Sequence, residues 1–355
     1  MVNMHKCAVV IVATGSVCLS PVTQAQEAAA GANALAASTT LSGYVSTSYS
    51  FQSGSKIVWG NQGDYNRFKL DVVSLTLASA QGEGEYAAGY TMQFWAGPDD
   101  MFTHSSLGDT IELVEATIDL RLPVGSGLDL KIGHFQSPLG YESHDYNQNA
   151  FYLRGMSYYY QYELHTGILV SYSPLDELLI QVGIINDAAY ISQMNVSEDP
   201  GSAAWLANLE YSFADSFGLL SGSSIQFATT QHAGGAIFYD DYYARFSLPI
   251  GNPKLSVDVA GYWSTEYPSG DSWDHGQIYS SYALSEKTLL YARYEWGYDE
   301  WNYAASTDGE SSFAVGYSHQ LQDNVLARVE WMSSSSDDPS WESEDILAFN
   351  LVYSF

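Results

Sequence analysis

Charged residues recur at every second position along several segments, which places their side chains on one face of a strand. Each of five basic residues on the polar face has an acid nearby on the same face. Opposed charges of this kind polarise water and order ions, as charged rings do in pores. A plain polar lining built from paired charges is the other interpretation, and the sequence leaves both open. The pairs are Arg121 with Asp119, Lys131 with Asp129, Arg245 with Asp241, Arg293 with Glu295, and Arg328 with Glu330, and Glu115 lies on the face of Asp119.

A second concentration of charge lies in residues 137–163, between two alternating segments. This stretch has no period of 2 or 3.6, and connections of this length are usually functional or disordered. Its many Tyr residues argue against disorder, so we predict an ordered loop. Its only fixed positive charge, Arg154, stands against three acids, and this local excess favours cations. The acids are Glu142, Asp145 and Glu163.

The tyrosines of this stretch permit two interpretations. They could form an aromatic slide for sugars, or they could simply pack the loop. They are Tyr141, Tyr146, Tyr152, Tyr158, Tyr159, Tyr160 and Tyr162.

The remaining reactive residues do not predict an enzyme. Of eight histidines, four fall in predicted loops and His165 opens a predicted strand. No nucleophile elbow and no paired His or Cys metal pattern is present in the sequence. Acid pairs such as Asp299-Glu300 and Asp337-Asp338 could ligate calcium, but such pairs are common in loops. The four loop histidines are His104, His144, His232 and His275. We expect no cofactor.

The composition favours a membrane β-barrel. The chain of 355 residues has a formal net charge of -29, 28 Tyr, 9 Trp and 14 Phe. Nucleic-acid binding needs a basic footprint, so that partner is unlikely on charge alone. High aromatic content with moderate hydropathy is typical of a barrel in which every second residue faces lipid and aromatic girdles mark both interfaces. No amphipathic helical pattern follows the first forty residues.

The N-terminus predicts secretion. Lys6 precedes an apolar core from Cys7 to Leu19, which is short for a membrane anchor, and a cleavage site is expected near Ala25-Gln26. Residues 1–25 are therefore predicted to be a signal peptide and 26–40 a flexible periplasmic leader. An anchor helix is the rival interpretation. Both cysteines, Cys7 and Cys18, would leave with the signal peptide.

From residue 41 to 355 the alternation has period 2, the signal of strands. A switch of face near Val72-Val73 suggests a bulge. About sixteen strands are predicted, with 12–18 possible: 41–52, 66–80, 85–97, 111–122, 127–136, 164–173, 178–187, 203–213, 223–232, 239–249, 254–264, 276–285, 288–298, 311–319, 324–333 and 344–355.

Short and long connections alternate along this series, as expected for short periplasmic turns and long external loops. The predicted short turns are 81–84, 123–126, 174–177, 250–253 and 320–323. The predicted long loops are 53–65, 98–110, 137–163, 188–202, 265–275, 299–310 and 334–343. Several are acidic, which could favour cations at the mouth or bridge to lipopolysaccharide through divalent cations. The acidic loop runs are Asp99-Asp100, Glu198-Asp199, Asp337-Asp338 and Glu342 to Asp345.

The last strand ends in an aromatic residue, with apolar residues at every second position before it. Leu347, Phe349, Leu351, Tyr353 and Phe355 fall on one face. This run resembles the assembly signal of bacterial outer-membrane proteins, so we expect the barrel-assembly machinery as a partner.

Two motifs flank the long loop. Lys131-Ile-Gly-His-Phe-Gln-Ser-Pro-Leu-Gly-Tyr-Glu142 precedes it, and His165-Thr-Gly-Ile-Leu-Val-Ser-Tyr172 follows. Together they resemble the OmpL-like β-barrel porin-2 family, with its G-[KR/H]-F-x-[ST]-P-x-G-x-E run and H-[ST]-G block. His134 stands where the family often has Lys, which removes a cation. The resemblance implies an all-β, antiparallel transmembrane barrel in the bacterial outer membrane.

About sixteen strands enclose an aqueous channel, which 137–163 is expected to constrict by folding inward. We therefore expect a porin for passive diffusion of small hydrophilic solutes and ions, mildly cation-preferring. The alternatives are a loop-plugged barrel serving as a receptor or adhesion surface, and a substrate-specific channel, for instance for sugars. Expected partners also include outer-membrane lipid and lipopolysaccharide. Large porins are often trimeric, so a homotrimer is one expectation, although the sequence does not indicate which surface would form the interface.

Overall fold

The computed structural model describes residues 38–53, 66–97, 111–160, 164–186, 203–234, 237–248, 254–267, 272–299, 309–337 and 343–355. They form sixteen strands and two short helical segments. The strands are β1 (Thr40–Ser53), β2 (Phe68–Ser79), β3 (Ala88–Ala96), β4 (Ile111–Leu122), β5 (Leu128–Gln136), β6 (Leu164–Leu175), β7 (Leu178–Asn186), β8 (Ala203–Ser212), β9 (Ser224–Gly234), β10 (Ile237–Leu248), β11 (Leu255–Tyr267), β12 (Ser272–Ser285), β13 (Thr288–Asp299), β14 (Gly309–Gln322), β15 (Val325–Ser336) and β16 (Glu344–Ser354).

Each strand pairs antiparallel with its neighbours in the chain, and β1 pairs with β16 to close the barrel. Closure matters because every backbone amide in lipid must be paired. The predicted fold class and the count of sixteen are confirmed. The helical segments are α1 (Met156–Tyr160) and a 3₁₀ helix (Asp215–Leu220). Within the described residues, no helix has the length and apolar character needed to cross a membrane.

The alternation predicted from the sequence separates the two faces of the wall. Along β16, Leu347, Phe349, Leu351 and Tyr353 are exposed on the outer surface, whereas Asn350 and its same-face neighbours are buried inside. The proposed assembly residues therefore share the outward face, together with the exposed Phe355.

A bulge interrupts β2 next to the predicted position. Ser46 of β1 pairs with Val72, and Thr47 pairs with Leu70, so Asp71 is the extra residue. A bulge re-aims the side chain that it carries. It turns the carboxylate of Asp71 into the barrel, where it is fully buried.

The connections follow even-numbered strands at one end and odd-numbered strands at the other. At the even end, 123–127, 176–177, 286–287 and 323–324 are short, as predicted for the periplasmic side. The connection 213–223 is longer and contains the 3₁₀ helix, which the sequence did not predict.

Two predictions at the external end are wrong. The segment 265–275, predicted as a long loop, is mostly strand, because β11 and β12 continue to Tyr267 and from Ser272. His275 therefore lies in β12, and His232 lies in β9, so neither of these histidines is in a loop. The predicted signal peptide, most of the predicted leader, Glu163, His104, and residues 54–65, 98–110, 187–202, 300–308 and 338–342 lie outside the described residues.

Candidate pore and constriction loop

Residues 137–160, the described part of the segment between β5 and β6, lie inside the barrel; we call them the inner loop. Residues 161–163 are outside the described part. Gln226 of β9 donates to the carbonyl of Pro138 at 2.9 Å. Tyr152 donates to Ser48 of β1 at 2.7 Å. The loop therefore crosses the lumen from its root to the opposite wall, as predicted.

The two flanking motifs hold the root of the inner loop. Gly133 has a φ of 133°, and a Cβ there would lie 2.1 Å from the carbonyl oxygen of Ala116, so only glycine fits. His134 Nδ1 lies 2.8 Å from Thr166 Oγ1, and His165 Nε2 lies 3.1 Å from Ser137 Oγ. The motif residues thus join the two ends of the loop.

Glu142, the last residue of the first motif, ties the inner loop to the far wall. Its carboxylate lies 2.6 Å from Nη1 of Arg293 on β13 and accepts from the hydroxyl of Tyr279 on β12 at 3.3 Å. It also accepts from the backbone N–H of Gly155 at 3.1 Å. Tyr141 stacks on Tyr279 with 3.8 Å between ring centroids. One carboxylate therefore holds the wall and both arms of the loop.

Glu295 on β13 is a second carboxylate that binds the loop backbone. It accepts from the N–H of Met156 at 2.9 Å and from the hydroxyl of Ser157 at 2.7 Å, and it lies 3.0 Å from Arg293 Nε. A Cβ on Gly155 would lie 2.4 Å from Glu295 Oε1. Because residue 155 is glycine, the carboxylate of Glu295 can approach the backbone at the start of α1.

Two charged residues of β15 bind the tip of the loop. Arg328 donates to the carbonyls of Tyr146, Asn149 and Phe151 at 2.7, 2.8 and 3.2 Å. Glu330 accepts from the backbone N–H groups of Tyr152 and Leu153 at 2.8 and 3.2 Å. Irregular backbone is tolerated at membrane depth only where it is buried in protein or lines a cavity. Arg328 and Glu330 supply the partners that this backbone needs.

Asp71 at the β2 bulge completes the attachment, and sequence analysis missed it. Its carboxylate accepts from Ser46 at 2.8 Å, from Ser48 at 2.7 Å and from the hydroxyl of Tyr152 at 2.9 Å. Asn350 of β16 approaches it at 3.3 Å. The predicted bulge was the available signal, because the extra residue of a bulge departs from the parity of its strand.

The other charges of the inner loop are also buried. Asp145 accepts from Tyr44 at 3.1 Å and from Gln93 at 2.7 Å. Arg154 donates to the carbonyls of Ser143 and His144, and its guanidinium lies over the rings of Tyr146 and Tyr158 at 4.7 and 4.5 Å. These charges hold the loop in place and do not face open water. The predicted attraction of cations by the acids of this loop would require the opposite, namely contact with water.

His144 is fully buried within the loop. Its Nε2 lies 3.1 Å from Gln93 Oε1 and 3.6 Å from Asp145 Oδ2. Burial lowers the pKa of His144, and the nearby Arg154 lowers it further, while Asp145 opposes the change. The ring is therefore neutral in the attached loop at pH 7.

The tyrosines of the inner loop do not form an accessible slide in the described part of the chain. Tyr146, Tyr152 and Tyr158 are buried, and Tyr146 stacks with Tyr152 at 5.7 Å between centroids. Tyr141 is half-buried against Tyr279. Packing explains these four residues. The side chains of Tyr159, Tyr160 and Tyr162 lie outside the described set.

The inward charges of β4, β5, β8 and β10 form a different environment, which we call the open wall. Its residues are Glu115, Asp119, Arg121, Asp129, Lys131, Glu210 and Arg245. The side chain of Lys131 is 34% exposed, that of Glu210 31% and that of Arg245 22%, whereas that of Arg293 on the opposite side is 0% exposed. The loop therefore buries the charges of β13 and β15 and leaves those of the open wall partly accessible, although its root reaches β9, between β8 and β10.

The charge pairs on the open wall run between strands. Lys131 lies 3.3 Å from Glu115 and 3.2 Å from Asp119. Arg121 lies 3.7 Å from Asp129 and 3.0 Å from Glu83 of the β2–β3 turn. The predicted pairs Arg121–Asp119 and Lys131–Asp129 are thus exchanged, because cross-strand neighbours are closer than residues i and i+2 of an extended strand.

The three remaining predicted pairs have different outcomes. Arg245 lies 3.8 Å from Glu210 of β8, not beside Asp241, which is fully buried. Arg293 pairs with Glu295 as predicted. Arg328 binds loop carbonyls, and Glu330 binds loop amides. Among the described residues, no group of three or more His, Cys, Asp and Glu side chains could hold a metal ion.

The model of the family described as “Putative beta-barrel porin-2, OmpL-like” matches residues 38–350. The chain belongs to this family. The porin is accordingly an outer-membrane protein of bacteria, and its family indicates a channel more than an enzyme. No curated protein matches its sequence.

Solved structures share the fold of the porin at low sequence identity. OmpF of Salmonella typhi, in complex with daunomycin, has a TM-score of 0.65 at 10% identity, covering 89% of this chain and 97% of that one. The anion-selective porin of Comamonas acidovorans has 0.63 at 14%, covering 90% and 99%. OmpT of Vibrio cholerae, solved in trimer form, has 0.60 at 10%, covering 89% and 99%.

Proposed function

We propose that this porin forms a water-filled channel for passive diffusion of small hydrophilic solutes and ions, with the inner loop as its constriction. The single observation that carries the proposal is the asymmetry of the lumen. Inward charges on β13 and β15 are sealed by the loop, whereas those of the open wall keep access to solvent. A path between the loop and the open wall would let solutes pass a polar, charged surface.

A mild preference for cations is part of the proposal. Glu115, Asp119, Asp129 and Glu210 stand on the open wall against three basic residues, and the whole chain carries a formal net charge of -29. An acidic passage raises the local concentration of cations. The charges of Glu142, Asp145 and Arg154 do not contribute to this preference, because these buried side chains attach the inner loop to the wall and to itself.

Planar-bilayer recording tests both parts. The expected result is a steady single-channel conductance with a cation-selective reversal potential under a KCl gradient. Deleting 143–160 is expected to raise the conductance. A correctly folded, heat-modifiable barrel without conductance would refute the channel and favour a plugged barrel. An anion-selective reversal would keep the channel and reject the cation preference.

The proposed partners follow from location. Outer-membrane lipid and lipopolysaccharide would contact the outward face, and the assembly machinery would bind the terminal strand through Phe349, Leu351, Tyr353 and Phe355. A homotrimer is proposed as the assembled form; the trimer of OmpT shows only that the same fold can trimerise. Native mass measurement in mild detergent tests this point: a single-barrel mass under several detergents would reject the trimer.

A further inference from the structure

The connection between β8 and β9, residues 213–223, carries an apolar surface at the periplasmic end of the barrel. Phe217, Leu219 and Leu220 are exposed, and Leu219 is fully so. Single exposed apolar residues are ordinary, but three within four positions form a patch. The one charged residue of the segment, Asp215, accepts from the hydroxyl of Ser221 at 2.7 Å and closes the turn.

This patch continues the outer surface of the barrel wall. Tyr211, Phe213 and Phe217 form an edge-to-face cluster with centroid distances of 5.2, 6.2 and 5.4 Å. Tyr211 shares the strand face of Leu209, which is exposed on the outer surface. The turn is therefore joined through Tyr211 to the lipid-facing side of β8, and not to the lumen.

The backbone of the turn satisfies much of its own hydrogen bonding. The N–H groups of Phe217, Ser221 and Ser223 donate to the carbonyls of Ala214, Gly218 and Leu220 at 3.0, 3.1 and 2.9 Å. Burying an amide without a partner is costly, so internal pairing lowers the cost of leaving water. Gly218 has a φ of 59°, which permits the kink that presents Leu219 outward.

We propose that residues 213–220 are a membrane-seated turn, which inserts Phe217, Leu219 and Leu220 into the phospholipid leaflet at the periplasmic side. Girdles of aromatic residues lie at the membrane–water interfaces of such barrels. Here the aromatic surface continues beyond the end of β8 into the turn. We favour phospholipid as the partner of the patch, because the aromatic cluster is continuous with the lipid-facing surface of the barrel wall. A second copy of the chain is the alternative occupant, and it would shield the patch from lipid as well as from water.

Fluorescence quenching tests the position of the turn. A Leu219→Cys variant, in a background with Cys7→Ser and Cys18→Ser, is labelled with an environment-sensitive fluorophore in phospholipid vesicles of low protein density. The matched control is Asp323→Cys in the β14–β15 turn, where the side chain is fully exposed. At position 219 we expect nitroxide-labelled lipid to quench the fluorescence strongly and iodide to quench it weakly. At position 323 we expect strong quenching by iodide and weak quenching by nitroxide-labelled lipid.

Two outcomes would overturn the proposal. Iodide quenching at 219 as strong as at 323 places the turn in water. Shielding at 219 from both iodide and nitroxide-labelled lipid assigns the patch to contacts between copies. A second substitution, Phe217→Ser in the labelled protein, breaks the aromatic cluster. It is expected to shift quenching from lipid towards iodide while heat-modifiable mobility is kept; unchanged lipid quenching would reject the role of the cluster.

Discussion

Replacing Glu330 by Leu is expected to detach the tip of the inner loop. The buried carboxylate is the acceptor for the backbone N–H groups of Tyr152 and Leu153, at 2.8 and 3.2 Å. Leucine fills a similar volume but accepts no hydrogen bond. Both amides would then be buried without that partner, or the loop would leave the wall to reach water.

The size of the effect follows from those two amides. An unpaired buried donor costs about 1–3 kcal/mol, so two cost about 2–6 kcal/mol. Each 1.4 kcal/mol is tenfold in an equilibrium, so the detached loop becomes roughly 30-fold to 10⁴-fold more populated relative to the attached loop. Glu330→Gln keeps one carbonyl oxygen and can retain one of the amides, so its effect is expected to be about half as large in free energy.

Single-channel recording measures this change. The wild-type porin is expected to give a steady current, E330Q occasional openings to a larger conductance, and E330L frequent ones. Glu210→Gln is the matched control, because Glu210 is an inward carboxylate whose ionic partner is Arg245 of the wall, at 3.8 Å, and not the backbone of the inner loop. A folded E330L barrel with a trace as steady as the wild type would refute the assignment of Glu330 as an anchor.

Three further outcomes are expected. Tyr152→Phe removes the hydroxyl that binds Asp71, which costs about 1.5–3 kcal/mol for a bond to a charged group, so protease cleavage of the loop in the folded barrel should accelerate; an unchanged rate counts against the anchor. Lys131→Gln frees its two carboxylates, so the reversal potential should become more cation-selective, most clearly at low salt. The pKa of His144 is lower in the attached loop than its free value near 6.5. Attachment is then stable above that pH and weakens as the pH falls below it; current noise should rise on acidification, and less so in His144→Asn.

The strands could be predicted because each has two unlike faces. Lipid contacts one side and the lumen the other, so apolar and polar residues must alternate for the whole length of β14, β15 and β16. A one-residue slip would exchange every side chain between lipid and lumen. This constraint is strong enough that the pattern alone gave the count of sixteen and most of the boundaries.

The external end was predicted less well, because β11 and β12 continue into the segment that was predicted as a loop. The segment 265–275 was predicted as a loop, and its sequence contains Pro268 and Gly270, two residue types that are typical of turns. The pairing of Thr265 with Ser272 shows that β11 and β12 are still paired inside the segment predicted as a loop. Beyond the lipid the outward face needs no apolar residues, so alternation fades although pairing continues.

The division of the lumen charges between anchors and pore lining could not be predicted from parity. Arg121, Lys131, Arg293 and Arg328 all point inward, and the rule of alternation treats them alike. Their roles depend on the path of the inner loop, since a loop in an aqueous lumen brings many backbone groups that need partners. A buried charge is tolerated where it is paired and hydrogen-bonded. Arginine donates to the loop carbonyls and glutamate accepts from its amides, so the charges under the loop become anchors, and only those that the loop leaves uncovered can act on a passing ion.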